Sequence, residues 1–411
     1  MGPVDLSVNY GGIEMKNPII VGSAENVSTA RGIKRAAEGG AAGVVTKTQH
    51  LSLRGDDRPY EERRLRRYRF INCENGAERD YDPRLTERGA YFTLVTPNLG
   101  GLLKSQDIVP EIKKARGSVD IAIIASIAGQ SLEEYEEMAT MNQEAGASAI
   151  EVLDPHHYAV LGGSVAFPEF TIYDAIRVVR RTVNLPISAK CAFAWDNPGK
   201  TMNALKQAGA NMVTAVGEMS LPALEIDVEK GEPWYNMQMG CYGSWFKPAS
   251  LSWVARAAKA GGLPISGVSG ITKWNHAVEY IMAGASTVQL SSILFARGFK
   301  VAGEIVQGIR EFMERKGYSN LEDLRGIAIG KIRNKRDLFE EYTPMVASVD
   351  EALCTVCGEC EDVCYLEAIS VQDGTARVDP DKCIGCELCV SVCPENSLSL
   401  RPRTEVVASP R

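Results

Sequence analysis

The sequence predicts an α/β fold, a (β/α)8 TIM barrel followed by a small α+β domain. Eight short apolar runs alternate with helical stretches over the first 315 of the 411 residues. Eight of the eleven cysteines lie beyond them, between Cys354 and Cys393. Residues 349–400 hold eleven acidic and two basic side chains, a net charge of −9, which leaves +2 for the rest of a chain whose net charge is −7. We therefore expect a barrel over residues 1–315, a linker with short helices over 316–347, a cysteine-rich domain over 348–401 and a polar tail over 402–411.

The eight apolar runs are rich in Val, Ile and Ala and lack polar alternation, which is typical of parallel strands covered by helices. They span residues 19–22, 43–47, 121–125, 149–153, 186–190, 212–216, 264–267 and 287–290. Helices are predicted at residues 28–38, 131–145, 171–183, 200–208, 248–260 and 273–283. Eight such strands favour a barrel, and a doubly wound sheet is the alternative that periodicity leaves open.

Glycines mark the ends of several predicted elements. Four helices end in a similar Gly-Ala phrase, at residues 38–43, 144–147, 207–210 and 282–285. Glycine suits the position that follows a helix, because it adopts the left-handed conformation without a steric cost. Residues 4–18 are predicted to form a hairpin around Gly11 and Gly12 that caps the floor of the barrel.

Candidate binding residues follow the strands, because the chemistry of a (β/α)8 barrel lies at the carboxyl ends of its strands. Ser23-Ala24 and Lys47-Thr48 follow the first two strands, and Lys190 ends the fifth. Turns after the seventh and eighth strands, at Ser269-Gly270 and Ser291-Ser292, match the usual phosphate site of this fold. We expect the two lysines to offset negative charge on a cofactor. In the alternative interpretation the glycines only make tight turns and the lysines point into solvent.

The cysteines repeat one spacing, C-x2-C-x2-C-x3-C, and a proline follows the second run. This run binds [4Fe–4S] clusters in bacterial-type ferredoxins, where the fourth cysteine of each run ligates the other cluster. We therefore assign two sets of ligands: Cys354, Cys357, Cys360 and Cys393 for one cluster, and Cys364, Cys383, Cys386 and Cys389 for the other. Structural zinc is the alternative, and it more often uses two C-x2-C pairs separated by a longer gap. Two neighbouring clusters indicate one-electron transfer through this domain.

Several phrases in the barrel region resemble the flavin-barrel family of dihydroorotate and dihydropyrimidine dehydrogenases. These phrases are Asn17-Pro18, Thr46-Lys47-Thr48, Phe70-Ile71-Asn72, Ala189-Lys190, Gly267-Val268-Ser269-Gly270-Ile271 and Gln289-Leu290-Ser291-Ser292. A barrel followed by a two-cluster domain is similar to the barrel subunit of the bacterial dihydropyrimidine dehydrogenases. The resemblance therefore covers nearly the whole chain.

The resemblance implies FMN at the mouth of the barrel. Lys47 would contact the edge of the flavin ring, and Lys190 would contact the ring or the ribityl chain. Asn72 would line the space between flavin and substrate. The remaining candidates are Gly270, Ser291 and Ser292 for the FMN phosphate, with Ser23, Ala24, Thr48 and Ser269 at the same strand ends.

The loop after the fourth strand departs from the family pattern. Family members place a catalytic Cys or Ser there, in a phrase like Asn-Leu-Ser-Cys-Pro. This chain has Leu153 at the asparagine position and His156 at the cysteine position. After the sixth strand, Gly217-Glu218 replaces an Asn-Thr pair that grips the pyrimidine in the family. A site built for hydrogen bonds discriminates strongly between substrates, so these changes predict a substrate other than a pyrimidine.

A histidine titrates near neutral pH and can supply the proton that accompanies hydride transfer from flavin N5 to an activated C=C bond. His156 is the first candidate for this acid, and His157 is the second. Glu218 is a candidate for substrate binding or for base chemistry. In the alternative interpretations the histidines only shape the loop and Glu218 is a solvated acid.

The leading functional prediction is an FMN- and iron–sulfur-dependent oxidoreductase that reduces or forms an activated C=C bond in a small-molecule substrate. One alternative is a dihydropyrimidine or dihydroorotate dehydrogenase proper. Another is an electron-transfer subunit without an organic substrate of its own.

The electrons require a partner, because no G-x-G-x-x-G phrase follows a strand and no dinucleotide-binding domain is visible. The resemblance suggests a separate FAD- and NAD(P)H-binding subunit, with soluble ferredoxin as the alternative, in a homo- or hetero-oligomer. No apolar run is long enough to span a membrane and no secretion signal is visible, so we expect a cytoplasmic protein without a membrane partner. The absence of a strongly basic pattern argues against a nucleic-acid partner.

Overall fold

The computed structural model describes residues 4–51, 69–72, 92–96, 103–155, 169–192, 197–217, 222–223, 226–233, 239–333 and 343–403. The chain forms two compact units, Met1–Lys331 and Ile332–Arg411. The first unit extends past residue 315 because two 3-10 turns, Leu321–Asp323 and Ile329–Lys331, belong to it. The backbone N–H of Gly326, between these turns, donates a hydrogen bond of 2.9 Å to the carbonyl of Ile281 in the barrel.

The first unit contains a closed barrel of eight parallel strands. They are β1 (Ile19–Val21), β2 (Gly43–Val45), β3 (Ala122–Ile127), β4 (Ala149–Leu153), β5 (Ile187–Ala192), β6 (Met212–Gly217), β7 (Ile265–Val268) and β8 (Thr287–Leu290). Each strand pairs with the next, and β8 pairs with β1 through the register of Val288 with Ile19. The predicted barrel is confirmed, and the doubly wound alternative is wrong because each of the eight strands pairs on both sides, whereas an open sheet has two edge strands.

Among the described residues, a helix of at least nine residues lies after each strand. These helices are α1 (Ala30–Glu38), α2 (Ser105–Arg116), α3 (Leu132–Glu144), α4 (Ile172–Thr182), α5 (Pro198–Ala208), α6 (Lys247–Ala260), α7 (Trp274–Met282) and α8 (Val301–Lys316). The six predicted helices are confirmed, and α2 and α8 are additional. Pro110 lies inside α2, where it removes a backbone hydrogen bond and weakens the helical pattern of the sequence.

The four predicted Gly-Ala phrases end helices as expected. Gly40, Gly146, Gly209 and Gly284 have φ angles of 97°, 88°, 108° and 104°. Each lies where the chain leaves a helix and turns towards the next strand, a conformation that other residues adopt only with strain.

A hairpin of Val8–Tyr10 and Ile13–Met15 precedes β1. Tyr10 is fully buried, and its hydroxyl donates a hydrogen bond of 3.0 Å to the carbonyl of Val213 near the start of β6. The hairpin therefore closes the amino-terminal end of the barrel, as the sequence predicted.

Short elements surround the opposite end of the barrel. Gln49–His50 pairs in parallel with Leu103–Lys104, and Gln49 also pairs with Ile127 at the end of β3. The other short elements are the antiparallel sheet of Pro222–Ala223, Met239–Gly243, Phe92–Thr96 and Arg69–Asn72, the pair Ile226–Asp227 and Glu232–Pro233, the 3-10 helices Glu25–Val27 and Ser244–Phe246, and the short helix Ser292–Arg297.

The second unit is a small α+β domain, as predicted. Its strands are β9 (Met345–Val349), β10 (Ile369–Gln372), β11 (Thr375–Val378) and β12 (Leu398–Pro402), which pair antiparallel as β9 with β12 and β10 with β11. Short helices occupy Glu359–Asp362 and Leu388–Val392. In the part of the chain that the structure describes, no helix combines the length and the apolar character needed to cross a membrane.

Candidate active site and cysteine sites

Both lysines at the barrel mouth are largely buried, and each pairs with a glutamate. Lys47 follows β2, and its Nζ lies 2.9 Å from Oε1 of Glu25, with 14% of the lysine side chain exposed. Lys190 in β5 lies with its Nζ 3.5 Å from Oε1 of Glu151 in the neighbouring strand β4. The Lys190 side chain is 8% exposed and the Glu151 side chain is fully buried. Neither lysine therefore points into solvent, and each already has a counter-charge.

One hydrogen bond, extended by further polar side chains, holds the carboxylate of Glu151. The hydroxyl of Thr214 in β6 donates to Oε2 of Glu151 at 2.8 Å, and Nε2 of Gln289 in β8 donates to the Thr214 hydroxyl at 3.0 Å. The Ser188 hydroxyl in β5 lies 3.1 Å from the same Thr214 oxygen. Such a network is needed because a buried carboxylate is costly unless it is paired and hydrogen-bonded.

A chain of hydroxyl groups connects the ends of the first three strands. The backbone N–H of Thr48 donates to the Ser23 hydroxyl at 3.1 Å. The Thr48 hydroxyl lies 3.0 Å from the hydroxyl of Ser126 in β3. Ala24 begins the 3-10 helix that carries Glu25 and is itself buried. The structure thus brings Ser23, Thr48 and Glu25, the ion-pair partner of Lys47, to one side of the barrel mouth.

The turn after β7 is held in an unusual backbone conformation. Ser269 and Gly270 have φ angles of 91° and 71°, and a Cβ on Gly270 would lie 2.6 Å from the Cβ of Lys247. The hydroxyl of Tyr280 lies 3.0 Å from the carbonyl oxygen of Val268 and 2.9 Å from that of Ser269. Tyr280 in α7 therefore stabilises this turn by hydrogen bonds to its carbonyl groups, a role that the sequence did not predict.

His276 supports the same turn as a neutral side chain. Its Nδ1 accepts a hydrogen bond of 3.3 Å from the backbone N–H of Thr272. Burial, with smaller contributions from the charges of Lys247 and Lys273, lowers the pKa of His276 to about 4. Burial likewise lowers the pKa of His50 to about 4. Both described histidines are therefore uncharged near neutral pH and are unsuited to donate protons there.

The end of β8 lies against the end of β1. Ser291 precedes the short helix, and Ser292 is its first residue. A Cβ on Gly22 would lie 2.6 Å from the Ser291 hydroxyl oxygen. Any larger residue at position 22 would therefore displace that hydroxyl group. Hydroxyls, glycine-containing turns and two buried ammonium groups form a donor set that fits a polar, phosphorylated cofactor such as FMN.

Several predicted site residues lie outside the described part of the chain. They are His156, His157 and Glu218. Asn72 ends the strand Arg69–Asn72, where its backbone pairs with that of Phe92, and its side chain is also outside the described residues. Their proposed roles stay predictions.

In the described part of the second unit, two pockets are each lined by four cysteines. The first cluster site is lined by Cys354, Cys357, Cys360 and Cys393. The second cluster site is lined by Cys364, Cys383, Cys386 and Cys389. Each cavity thus gathers three cysteines of one run and the fourth cysteine of the other run, which is the grouping that the sequence predicts.

The donor set of each cavity fits a [4Fe–4S] cluster. Four cysteine thiols line each cavity, three from one C-x2-C-x2-C run and the fourth from the other run. In a [4Fe–4S] cluster of the bacterial ferredoxin type, four cysteine thiolates ligate the cluster in this arrangement.

The two cluster sites repeat one backbone pattern. A shift of 29 residues, from Cys354 to Cys383, relates the first run to the second. Val356 and Gly385 are equivalent under this shift, with φ angles of 62° and 67°, and so are Gly358 and Glu387, with 87° and 66°. The left-handed turn is therefore needed at both positions of each run, although only one position in each run is glycine.

Backbone N–H groups approach the sulfurs in the same repeated manner. The N–H of Ala347 donates to Sγ of Cys383 at 3.4 Å, and that of Ala368 donates to Sγ of Cys364 at 3.2 Å. The backbone N–H groups of Val356 and Ala376 lower the pKa of Cys354. Such bonds favour the thiolate form, which is the form that binds iron. Burial acts in the opposite direction on Cys389 and raises its pKa to about 11.

Comparisons with known proteins agree with this geometry. The dihydroorotate dehydrogenase family model matches residues 5–313, and a 4Fe-4S dicluster domain model matches residues 347–400. The "Dihydroorotate dehydrogenase B (NAD(+)), catalytic subunit" of Thermococcus kodakarensis is 30% identical over 327 residues, covering 79% of this chain and 98% of the relative. The "NAD-dependent dihydropyrimidine dehydrogenase subunit PreA" of Escherichia coli is 26% identical over 418 residues, covering 96% of this chain and 95% of the relative.

Proposed function

Because the chain belongs to the dihydroorotate dehydrogenase family and ends in a 4Fe-4S dicluster domain, we propose that it reduces or forms an activated C=C bond in a small-molecule substrate. It is a flavin-dependent oxidoreductase acting on CH–CH bonds, with FMN and two [4Fe–4S] clusters as its redox groups. The observation that carries the proposal is the combination, in one chain, of a barrel mouth with paired buried lysines and two cavities lined by four thiols each.

The eight cysteines act as cluster ligands in this proposal. The grouping of the thiols around two cavities and the backbone N–H donors to their sulfurs support it. One electron at a time passes through the domain, because each cluster is a one-electron carrier.

The residues at the strand ends hold FMN, which supplies hydride at its N5 atom when it is bound. Lys190, paired with Glu151, would contact the flavin ring or the ribityl chain, and Lys47, paired with Glu25, would contact the edge of the ring. The turn at Ser269 and the end of β8 bind the phosphate through backbone N–H groups and hydroxyls. The remaining proposed contacts come from Gly270, Ser291, Ser292, Ser23, Ala24, Thr48 and Asn72.

His156 supplies the proton to the substrate carbon next to the one that receives hydride, with His157 as the second candidate and Glu218 as a substrate-binding group or base. The two other histidines of the chain support this choice, because His50 and His276 are buried with a pKa of about 4 and are neutral in the working range.

A substrate other than a pyrimidine is supported by Leu153. Its side chain is 1% exposed at the end of β4, where the resemblance places an asparagine in the family. An aliphatic group offers no hydrogen bond to a ring amide, so a pyrimidine would leave its polar groups unpaired there. Dihydroorotate or dihydropyrimidine dehydrogenase activity is the second candidate, because the printed names of the relatives carry those activities.

A separate subunit that binds FAD and NAD(P)H provides or accepts the electrons, and soluble ferredoxin is the alternative partner. The relatives support the first choice, because their names describe NAD-dependent enzymes and designate them as subunits. The net charge of −9 over residues 349–400 favours docking of the cluster domain on a basic surface.

A stopped-flow experiment tests the substrate class. The enzyme is reduced under anaerobic conditions and mixed with uracil, with orotate or with open-chain unsaturated acids, and reoxidation of the flavin is followed by absorbance. We expect reoxidation by the open-chain unsaturated acids only. Reoxidation by a pyrimidine would establish the second candidate, and reoxidation by none of them would indicate an electron-transfer subunit.

Substitution of the loop histidines tests the proton donor. His156→Gln should lower turnover by about 10²-fold, the usual contribution of a general acid, and leave the FMN content unchanged. His157→Gln is the matched control, because it changes the adjacent imidazole in the same way. Equal turnover in the two variants would contradict the assignment to His156.

A further inference from the structure

The two cluster sites share a backbone but differ in the hydroxyl groups near their sulfurs. Ser397 lies at the first cluster site, where its backbone N–H is 3.3 Å and its hydroxyl 3.1 Å from Sγ of Cys393. The shift of 29 residues makes Ala368 its equivalent at the second cluster site. There the backbone N–H of Ala368 contacts Cys364 at 3.2 Å, and the side chain has no hydroxyl to donate. The sulfur of Cys393 therefore has a hydroxyl group beside it that the equivalent sulfur of Cys364 lacks.

A second pair of equivalent residues repeats the difference. Thr375 is 4% exposed, its hydroxyl has no hydrogen-bond partner among the described residues, and it directly precedes Ala376, which lines the first cluster site. Its equivalent under the same shift is Val346, which is 1% exposed and aliphatic. Both hydroxyl groups thus belong to residues that line the first cluster site or adjoin its lining, and both equivalent positions at the other site are apolar.

We propose that the hydroxyls of Ser397 and Thr375 give the cluster at the first site a higher reduction potential than the cluster at the second site. The inference rests on the proposed ligand assignment. A ligating thiolate has no proton, so the hydroxyl donates to the sulfur. Uptake of one electron by a cluster adds negative charge, and hydrogen bonds donated to its sulfurs stabilise that charge. An electron supplied by a reductant or by the partner subunit therefore rests on the cluster at the first site.

A redox titration followed by electron paramagnetic resonance tests the proposal on the full chain. We expect two one-electron steps in the native protein. Ser397→Ala should lower the higher midpoint potential by about tenfold in the reduction equilibrium, which corresponds to about 59 mV, and leave the lower midpoint unchanged. The backbone accepts alanine at the equivalent position, so the variant should fold. Ala368→Ser is the matched gain-of-function variant, and it should raise the lower midpoint.

Two further variants separate the hydroxyl from a packing effect. Ser397→Thr keeps the hydroxyl and should keep the native midpoint, and Thr375→Val copies the residue at the equivalent position and should act like Ser397→Ala. A shift in the lower midpoint, equal shifts in both midpoints or no shift after Ser397→Ala would overturn the proposal. Iron and sulfide analysis of the native protein separates this failure from failure of the proposed function, because a protein without two clusters fails that analysis before any variant is made.

Discussion

Replacement of Glu151 by glutamine would leave the ammonium group of Lys190 buried without a counter-charge. The two side chains are 0% and 8% exposed, and their charged atoms lie 3.5 Å apart. Glutamine has nearly the same shape, so the hydrogen bond from the Thr214 hydroxyl to Oε2 has a substitute acceptor. The perturbation is therefore almost purely electrostatic.

The expected size of the effect follows from the distance. At 3.5 Å and an effective dielectric constant of about 20, the attraction between the two charges is about 5 kcal/mol. Both charges already carry a desolvation cost in the folded protein, and the substitution leaves the cost of Lys190 uncompensated. We expect a loss of about 3–5 kcal/mol in the free energy of unfolding, which is a large part of the ~5–15 kcal/mol of a typical protein.

Urea unfolding followed by circular dichroism measures this loss. The double variant Glu151→Gln with Lys190→Met removes both charges, so it should recover at least about 2 kcal/mol relative to Glu151→Gln alone. Measurement at two FMN concentrations separates the effect of the ion pair from ligand binding. Glu38→Gln breaks an exposed pair with Lys34 at 3.9 Å and serves as the control, with an expected loss of about 0.3–0.5 kcal/mol. A loss below about 1 kcal/mol for Glu151→Gln, or no recovery in the double variant, would refute the reasoning.

Three further predictions concern stability. His50 and His276 have a pKa of about 4 in the folded protein and 6.5 as the ordinary value, so the unfolded chain binds more protons between these values. The contribution of these histidines to the free energy of unfolding should be constant above pH 6.5 and fall by up to ~3 kcal/mol per histidine as the pH drops to 4. An unchanged pH profile of the unfolding midpoint after His276→Gln would contradict this. Val356→Gly should raise the free energy of unfolding of the cluster domain by about 0.5–1 kcal/mol. The substitution relieves the strain of a valine at a φ of 62°, and the larger conformational entropy of glycine in the unfolded chain offsets only part of that gain. Gly385→Ala at the equivalent position should lower it, since the new Cβ would lie 2.7 Å from the carbonyl oxygen of Met345, and equal effects in chemical denaturation would contradict both expectations.

The barrel could be predicted from the sequence because buried parallel strands are continuous apolar runs. The predicted runs at residues 149–153 and 287–290 match β4 and β8 without a shift. The helix α2 was missed because Pro110 interrupts the helical pattern, and packing against the barrel stabilises the helix despite it. The local sequence pattern thus predicts an element correctly where tertiary packing favours the same structure. The prediction fails where tertiary packing stabilises a structure that the local pattern disfavours, as in α2.

The candidate site was predictable only in part. The positions of Lys47 and Lys190 at strand ends identified them as candidates. Their partners Glu25 and Glu151 could not be identified in this way, because these contacts depend on which strands and turns lie next to each other in the fold. One signal for Glu151 was available, namely a carboxylate inside an otherwise apolar strand, which requires a buried cation nearby. Nothing local indicates that His276 and the tyrosine beside it support the turn after β7, because that contact depends on how the next helix packs.

The distribution of charge separates the tasks of the two units. At the barrel mouth Lys47 pairs with Glu25 and Lys190 pairs with Glu151, so these four described side chains together add no net charge that would attract an anion from a distance. We therefore expect FMN binding to depend on short-range hydrogen bonds and to change little with salt. The cluster domain instead has eleven acidic side chains against two basic ones over residues 349–400. Its association with a partner should weaken strongly as ionic strength rises, because that attraction is long-range and screened over about 8–10 Å at ordinary salt. Parallel titrations of FMN and of the partner subunit against salt would separate the two, and an equal salt dependence would show that the barrel mouth carries a net charge that its ion pairs do not balance.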